Sequence, residues 1–155
     1  MQAKGFAAMA KKKGKTKRTI FVLDSSITLA WLFEDEADAY AEAVEDSLIA
    51  AAAVVPSLWL LEVANGALIG ERRKRTTEAK ITQFLALLKS LPITADEETA
   101  AQAWQETLQL ARTHNLSVYD AAYLELAMRC GLPLATLDED LADAAAAVGV
   151  EKYKP

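Results

Sequence analysis

Apolar residues recur along the chain with two periods, and the two alternate. "TIFVLD" (19–24) is a short β-branched and aromatic run that ends on an acid, which predicts a first buried strand. Ser25 and Ser26 then open a helix carrying Leu29, Trp31, Leu32 and Phe33. From about 35 to 50, the spacing of Ala37, Tyr40, Ala41, Val44 and Leu48 predicts an amphipathic helix. "AAVVP" is a second strand, and Pro56 with Ser57 opens a helix over about 58–75. Thr76 and Thr77 interrupt before a helix over 78–90 that buries Ile81, Leu85 and Leu88.

"LPITA" (91–95) reads as a third strand, with Asp96 capping a long helix through Ala103, Trp104, Leu108 and Ala111. Ser117 starts a helix through Tyr119, Tyr123, Leu126 and Ala127 that Gly131 closes. "LPLATLD" (132–138) is a fourth strand, again ending on an acid, and a last helix from Leu141 to Val148 stops at Gly149. "VEKY" is read as an edge strand. Strands alternating with helices predict an α/β fold with a mostly parallel central sheet covered on both faces. Ligands bind such sheets beyond the carboxyl ends of the strands, near the switch in strand order.

One stretch strains this reading. "SLIAAAAVVPSLWLLEVANGALIG" (47–70) carries a single ionisable side chain, Glu62. The run is long enough to cross a bilayer, for which about 20 apolar residues suffice. Pro56 breaks it near its middle, however, and a carboxylate at mid-membrane costs about 3 kcal/mol. A buried strand followed by a buried helix accounts for it better, and the expectation is no membrane.

The 155 residues fit one domain, and 52% apolar with 25% charged content is globular rather than disordered. The lone Cys130 excludes an internal disulfide or cysteine-rich zinc site and suits a reducing cytoplasm. It reads as packing, and the only histidine, His114, as a surface residue near a helix end. The net charge of -5 is segregated: seven of 17 basic residues precede residue 19. The rest has 10 basic against 22 acidic residues, or -12. Residues 1–18 therefore read as a basic, flexible N-terminal arm, without a signal-peptide core, and 19–155 as the folded domain. Met9 is an alternative start.

Asp24 and Asp138 end the first and fourth strands, so the topology can bring both to the carboxyl edge. Glu62 lies about one turn into the helix after the second strand, and Asp120 in the first turn of the helix after Ser117. Two unit charges 5 Å apart at an effective dielectric of 20 repel by about 3 kcal/mol, and four carboxylates make six pairs. Total repulsion near 10 kcal/mol rivals a domain's stability, so a converged cluster needs protons or cations. Hard oxygen ligands without histidine or cysteine select magnesium or manganese over zinc. Each acid also has a plainer use. Asp24, Asp120 and Asp138 can serve as helix caps or first-turn acids. Glu62 has the weakest such use, because no basic partner lies near it in sequence and buried unpaired carboxylates are expensive.

"FVLDSS", "PSLWLLEVANGAL", "LSVYDAAYLELAMRCGLPLATLDEDL" and the trailing "AAAAVGV" resemble, in order and spacing, the motifs of PIN-domain ribonucleases, most closely the VapC-type toxins of bacterial toxin-antitoxin pairs. The resemblance spans about residues 19–153. It implies a three-layer α/β/α fold and a metal-dependent endoribonuclease that uses Mg2+ or Mn2+. The family's four acids fall on Asp24, Glu62, Asp120 and Asp138 as catalytic and metal-binding residues; Asp138 is either a ligand or an orienter of water. Ser26 matches the hydroxyl residue beside the first acid, Asn65 the asparagine one turn after the glutamate, and Asp140 is an extra acid that assists or sits on the helix surface. The implied partners are an RNA substrate, a small antitoxin and a second copy of the chain, in the cytoplasm.

"ERRKR" (71–75) offers Arg72, Arg73, Lys74 and Arg75, with Lys80, as candidate RNA contacts, or else a cationic helix end satisfying the dipole. Trp31 and Phe33 read as core, or as lining for a partner groove. Two rival functions remain. One is a PIN-like RNA- or protein-binding module with little or no nuclease activity. The other, a phosphatase or phosphoacceptor domain, is disfavoured because "LDSS" lacks the second nearby acid and no lysine ends a late strand.

Overall fold

The computed structural model describes residues 17–155, so most of the basic arm and the Met9 alternative lie outside the described residues. Among the described residues four strands form one sheet: β1 (Ile20–Leu23), β2 (Ala52–Pro56), β3 (Ile93–Asp96) and β4 (Leu134–Ala135). Their spatial order is β3-β2-β1-β4 and all three pairings are parallel, with Ile20 opposite Ala52, Val22 opposite Leu134 and Pro56 opposite Asp96. β1 is therefore central. The chain order reverses beside it, between β1 and β4.

The helices are α1 (Ser25–Leu32), α2 (Ala39–Ser47), α3 (Trp59–Arg72), α4 (Glu78–Ser90), α5 (Thr99–Gln102), α6 (Leu108–His114), α7 (Val118–Cys130) and α8 (Glu139–Ala147). A π-helical segment, Ala103–Thr107, joins α5 to α6. α1 packs on α2, α3 and α4, whereas α7 packs on α6, α8 and the sheet. The result is the three-layer α/β/α arrangement. α7 explains its own sequence: residues 121–127 are all buried, because the sheet lies on one side and helices cover the others.

α1 and α3 approach closely, and this packing sets two acid-bearing segments against each other. A Cβ at Gly66 would stand 2.5 Å from Leu29 Cδ1, and one at Gly70 would run into the Phe33 ring. The Trp59 indole N–H donates to Thr28 Oγ1 at 3.1 Å and locks the pair. Trp31 and Phe33 belong to this packing: the Trp31 indole donates to the Ala41 carbonyl at 2.7 Å, and Phe33 is buried beneath the Arg75 guanidinium.

Several elements differ from the sequence expectation. The helix expected over 35–50 is a 3-10 turn, Glu34–Glu36, followed by α2, whose start Asp38 caps by accepting from the Ala41 N–H. The fourth strand is two residues long: Thr136 turns its hydroxyl to Asp24 and Asp138 caps the next helix, so neither extends the ladder. "VEKY" contributes a single parallel bridge, Lys152 to Leu134. Asp96 does not cap a helix: it ends β3, and its side chain, 0% exposed, accepts from Arg129 Nη2 at 2.7 Å and Nη1 at 3.2 Å. Glu125, one turn before Arg129, takes Nε at 2.7 Å.

This buried triad ties β3 to α7. Replacing Arg129 with alanine leaves two buried carboxylates facing each other, and the expected loss of stability is about 3–5 kcal/mol. Urea unfolding at neutral pH measures it; a loss below about 1 kcal/mol would show that the triad does not carry this packing.

Candidate active site

β1 delivers Asp24 to the carboxyl edge of the sheet, where the residue is 3% exposed. It stands at the N-cap position of α1, but its side chain makes no capping bond. Instead Oδ2 accepts from Ser26 Oγ at 2.5 Å and from Thr136 Oγ1 at 2.7 Å. Each hydroxyl in turn accepts a backbone N–H from the loop after β4: Leu137 to Ser26 Oγ at 3.0 Å and Asp138 to Thr136 Oγ1 at 3.0 Å. No described hydrogen bond falls on Oδ1.

Glu62, half-buried on α3, accepts from the Tyr123 hydroxyl at 2.6 Å. Asp120 lies in the first turn of α7 without capping it; Ser117 does that, accepting the Asp120 N–H at 3.0 Å. Asp138 fulfils the plainer reading as a cap, since its Oδ1 accepts the Leu141 N–H at 2.8 Å and caps α8, and Asp120 fulfils it only as a first-turn acid. Asp140 and Asn65 are exposed.

The acids are close enough to act on one another. Burial pushes the Asp24 carboxyl up to about 6; the Ser26 and Thr136 bonds oppose this, and the Glu62 and Asp120 charges reinforce it. Burial likewise raises Glu62, with the Asp120 charge adding to it and the Tyr123 bond opposing it. Asp120 is raised by burial, then by the charges of Asp138 and Asp140. Asp120 thus couples the strand-end pair to the last helix. The four acids proposed from sequence, with Asp140, form one electrostatic cluster that Ser26 adjoins.

No group of three His, Cys, Asp or Glu side chains among the described residues is arranged to hold a metal ion as it stands. The donor chemistry nonetheless fits a hard divalent cation: the cluster offers carboxylate oxygens alone, and burial together with their mutual repulsion disfavours their charge, which a cation would offset. Sequence reasoning missed Thr136 and Tyr123 as supports of the site. Thr136 carried a signal, as the one hydroxyl in an apolar strand; Tyr123 carried none, being indistinguishable from core.

The basic cluster lies elsewhere. Ten residues of helix separate Glu62 from Arg72, a rise of about 15 Å. Arg72, Arg73 and Lys74 are exposed and make no described ion pair. Arg75 is engaged with Asp35 at 2.9 Å and Glu36 at 3.0 Å, its guanidinium 4.2 Å above the Phe33 ring, and Lys80 pairs with Glu34 at 3.6 Å.

The PIN domain family model matches residues 21–147. No curated protein sequence matches the chain significantly. Among solved structures, PAE2754 from Pyrobaculum aerophilum is similar with a TM-score of 0.59 at 22% identity, over 81% of this chain and 79% of that one. VapC20 of Mycobacterium tuberculosis, described as a Sarcin-Ricin loop cleaving toxin, aligns with a TM-score of 0.58 at 18% identity over 88% and 100%. VapBC2 from Rickettsia felis, bound to a DNA fragment from its promoter, aligns with a TM-score of 0.55 at 16% identity over 77% and 88%.

The raised Asp24 gives a pH prediction. An acid whose folded pKa, about 6, exceeds its unfolded value of 3.8 binds its proton more tightly when folded, so stability falls as pH rises through that window. The penalty, about 3 kcal/mol, is full above it. In chelator, Asp24→Asn is expected to be more stable than wild type at pH 7.5 and close to it at pH 4, by thermal unfolding. A variant no more stable at pH 7.5 would remove the case for a strained carboxylate.

Proposed function

This chain belongs to the PIN domain family, and we propose that it is a metal-dependent endoribonuclease, the toxin component of a toxin-antitoxin pair. The observation that carries this reading is the cluster itself: carboxylates from β1, α3, α7 and the start of α8 meet at the carboxyl edge beside the strand-order switch, with no basic residue among the described ones to balance them. PIN domains are in general nucleases that use divalent metals, which supports a chemical rather than a structural purpose for the cluster.

Asp24, Glu62, Asp120 and Asp138 are the proposed holders of Mg2+ or Mn2+. When bound, such an ion activates water as a nucleophile and offsets the charge that develops on an attacked phosphodiester. The chain's own residues prepare for it. Ser26 and Thr136 fix Oδ2 of Asp24, which leaves Oδ1 for ligation. Tyr123 holds Oε1 of Glu62, and the Leu141 N–H holds Oδ1 of Asp138. Glu62 and Asp120, half-buried, are the side chains a cation would draw toward the fixed Asp24. Asn65, one turn beyond Glu62 and exposed, is a proposed substrate contact, and Asp140 adds charge beside Asp120.

Arg72, Arg73 and Lys74 are proposed to hold RNA that runs on beyond the cut, since they lie at the far end of α3. A small antitoxin and a second copy of this chain are the proposed protein partners; Leu60, Leu61, Leu68 and Ile69 on α3 supply exposed apolar surface for such contacts. No described helix is long and apolar enough to cross a membrane, and the proposed location is the cytoplasm.

The purified full chain is expected to cleave RNA with Mg2+ or Mn2+ and to stop in excess chelator. Asp24→Asn and Asp120→Asn should each lower the rate by at least about 100-fold while remaining folded by circular dichroism, a loss of about 2.7 kcal/mol in transition-state stabilisation. Cleavage that persists in chelator or in both variants overturns the reading. Metal-independent RNA binding without turnover would favour the binding-module alternative.

A further inference from the structure

Glu62 keeps its place in the cluster by a contact from across the fold. The Asp24 and Asp138 carboxylates each meet a group close in sequence, Ser26 two residues on in one case and the Leu141 N–H three residues on in the other. The Glu62 carboxylate stands at the end of a long, half-buried side chain on α3, and the Tyr123 hydroxyl, 61 positions away on α7, donates to its Oε1 at 2.6 Å. A side chain of this length loses much rotamer freedom when it is held in one geometry.

Tyr123 is a fixed point. Its residue is 0% exposed, on a helix that packs on β1 and β2, and Arg129 farther along that helix bridges to Asp96 at the end of β3. A ring seated in close-packed core cannot follow a moving partner, so the glutamate comes to the hydroxyl. Burial, then the charges of Asp24 and Glu62, push the phenol far above its usual range, so it acts as a donor and keeps its proton. Ser25, the first residue of α1, bonds to both Glu62 and Tyr123. The adjacent serines therefore divide between the acids, Ser26 serving Asp24 and Ser25 the Glu62 pair. Packing alone does not call for the hydroxyl. A phenylalanine would fill the same core volume, whereas a buried phenol needs a hydrogen-bond partner, and here that partner is a proposed metal ligand.

We infer that Tyr123 is a positioning residue, which fixes the Glu62 carboxylate beside Asp24 ahead of the cation and thereby sets the affinity of the site for a divalent metal. This rests on the metal-dependent reading of the cluster. Donors that orient a metal ligand in this way are worth about 10–100-fold in metal affinity. A wholly buried phenol does not touch the substrate, so its effect passes through Glu62.

Calorimetric titration of the chelator-stripped full chain with MnCl2 tests this without RNA. Tyr123→Phe should keep the wild-type circular dichroism and bind Mn2+ at least about tenfold more weakly. Glu62→Asp draws the carboxylate back by one methylene, away from the phenol. In that background Tyr123→Phe should change the affinity by less than about twofold, because the bond is already lost. Unchanged affinity in Tyr123→Phe, an equal loss in both backgrounds, or loss of the fold on removing the hydroxyl overturns the inference, and the nuclease reading survives each of these. RNA cleavage gives a second readout. The Tyr123→Phe defect should vanish as Mn2+ is raised to saturation, since a misplaced ligand costs affinity and leaves the reaction intact. A kcat defect that persists at saturation assigns the phenol to the chemistry and overturns the positioning role. Mn2+ binding with the expected loss, but no RNA cleavage by the wild type, supports the inference and removes the nuclease reading. No Mn2+ binding by the wild type overturns both.

Discussion

The burial of the Asp24 carboxylate is the constraint on which the carboxyl edge of the sheet depends. A charge at the end of the central strand is tolerable only if its oxygens are met, and here two hydroxyls meet one of them. Those hydroxyls are not isolated donors. Ser26 and Thr136 each accept a backbone N–H from the loop after β4, so the carboxylate orders that loop through them. β4 pairs over two residues and would hold its loop weakly by ladder bonds alone. The Asp24 network does that work, and it aims Asp138 at the first turn of α8.

The same burial makes the cluster energetically incomplete. Glu62 reaches Asp24 because Gly66 and Gly70 let α3 settle against α1; Asp120 reaches it because Ser117 starts α7 at the same edge. Each approach brings a like charge nearer and raises the proton affinity of the others. Repulsion of this kind takes a few kcal/mol from a domain whose margin is about 5–15 kcal/mol. A fold selected for stability alone would not assemble it. The packing of α1, α3 and α7 therefore answers to the chemistry at their ends as much as to the core between them.

Most of this was legible in the sequence, for identifiable reasons. Strands 20–23 and 52–56 and helices 25–32 and 78–90 follow from periodicity and capping residues, which are local signals. Asp24, Glu62, Asp120 and Asp138 stood out because each acid interrupts or ends an apolar run. What was not legible is pairing across the fold. Arg75 reads as a free cation in "ERRKR", yet Asp35 and Glu36, about 40 positions away, claim it. Asp96 reads as a helix cap because it precedes a helix, yet Arg129 on α7 claims its side chain. Tyr123 reads as core and is core, with only its hydroxyl directed at Glu62. Sequence spacing reports which face a side chain takes and is silent on which distant partner meets it.

Asp96 and Asp24 sharpen that distinction. Both end a parallel strand at the same edge, both are almost wholly buried, and both are followed by a helix. Position alone would give them one role. Asp96 receives a two-pronged guanidinium, which it shares with Glu125, so a cation of the chain meets its charge directly. Asp24 receives hydroxyls, which orient a charge without cancelling it, and its charged neighbours among the described residues are acids. A strand-end carboxylate is thus structural where a cation of the protein completes it. Where only dipoles and like charges surround it, completion has to come from solution, as a proton or as a metal ion. The two aspartates, two strands apart in one sheet, show both outcomes.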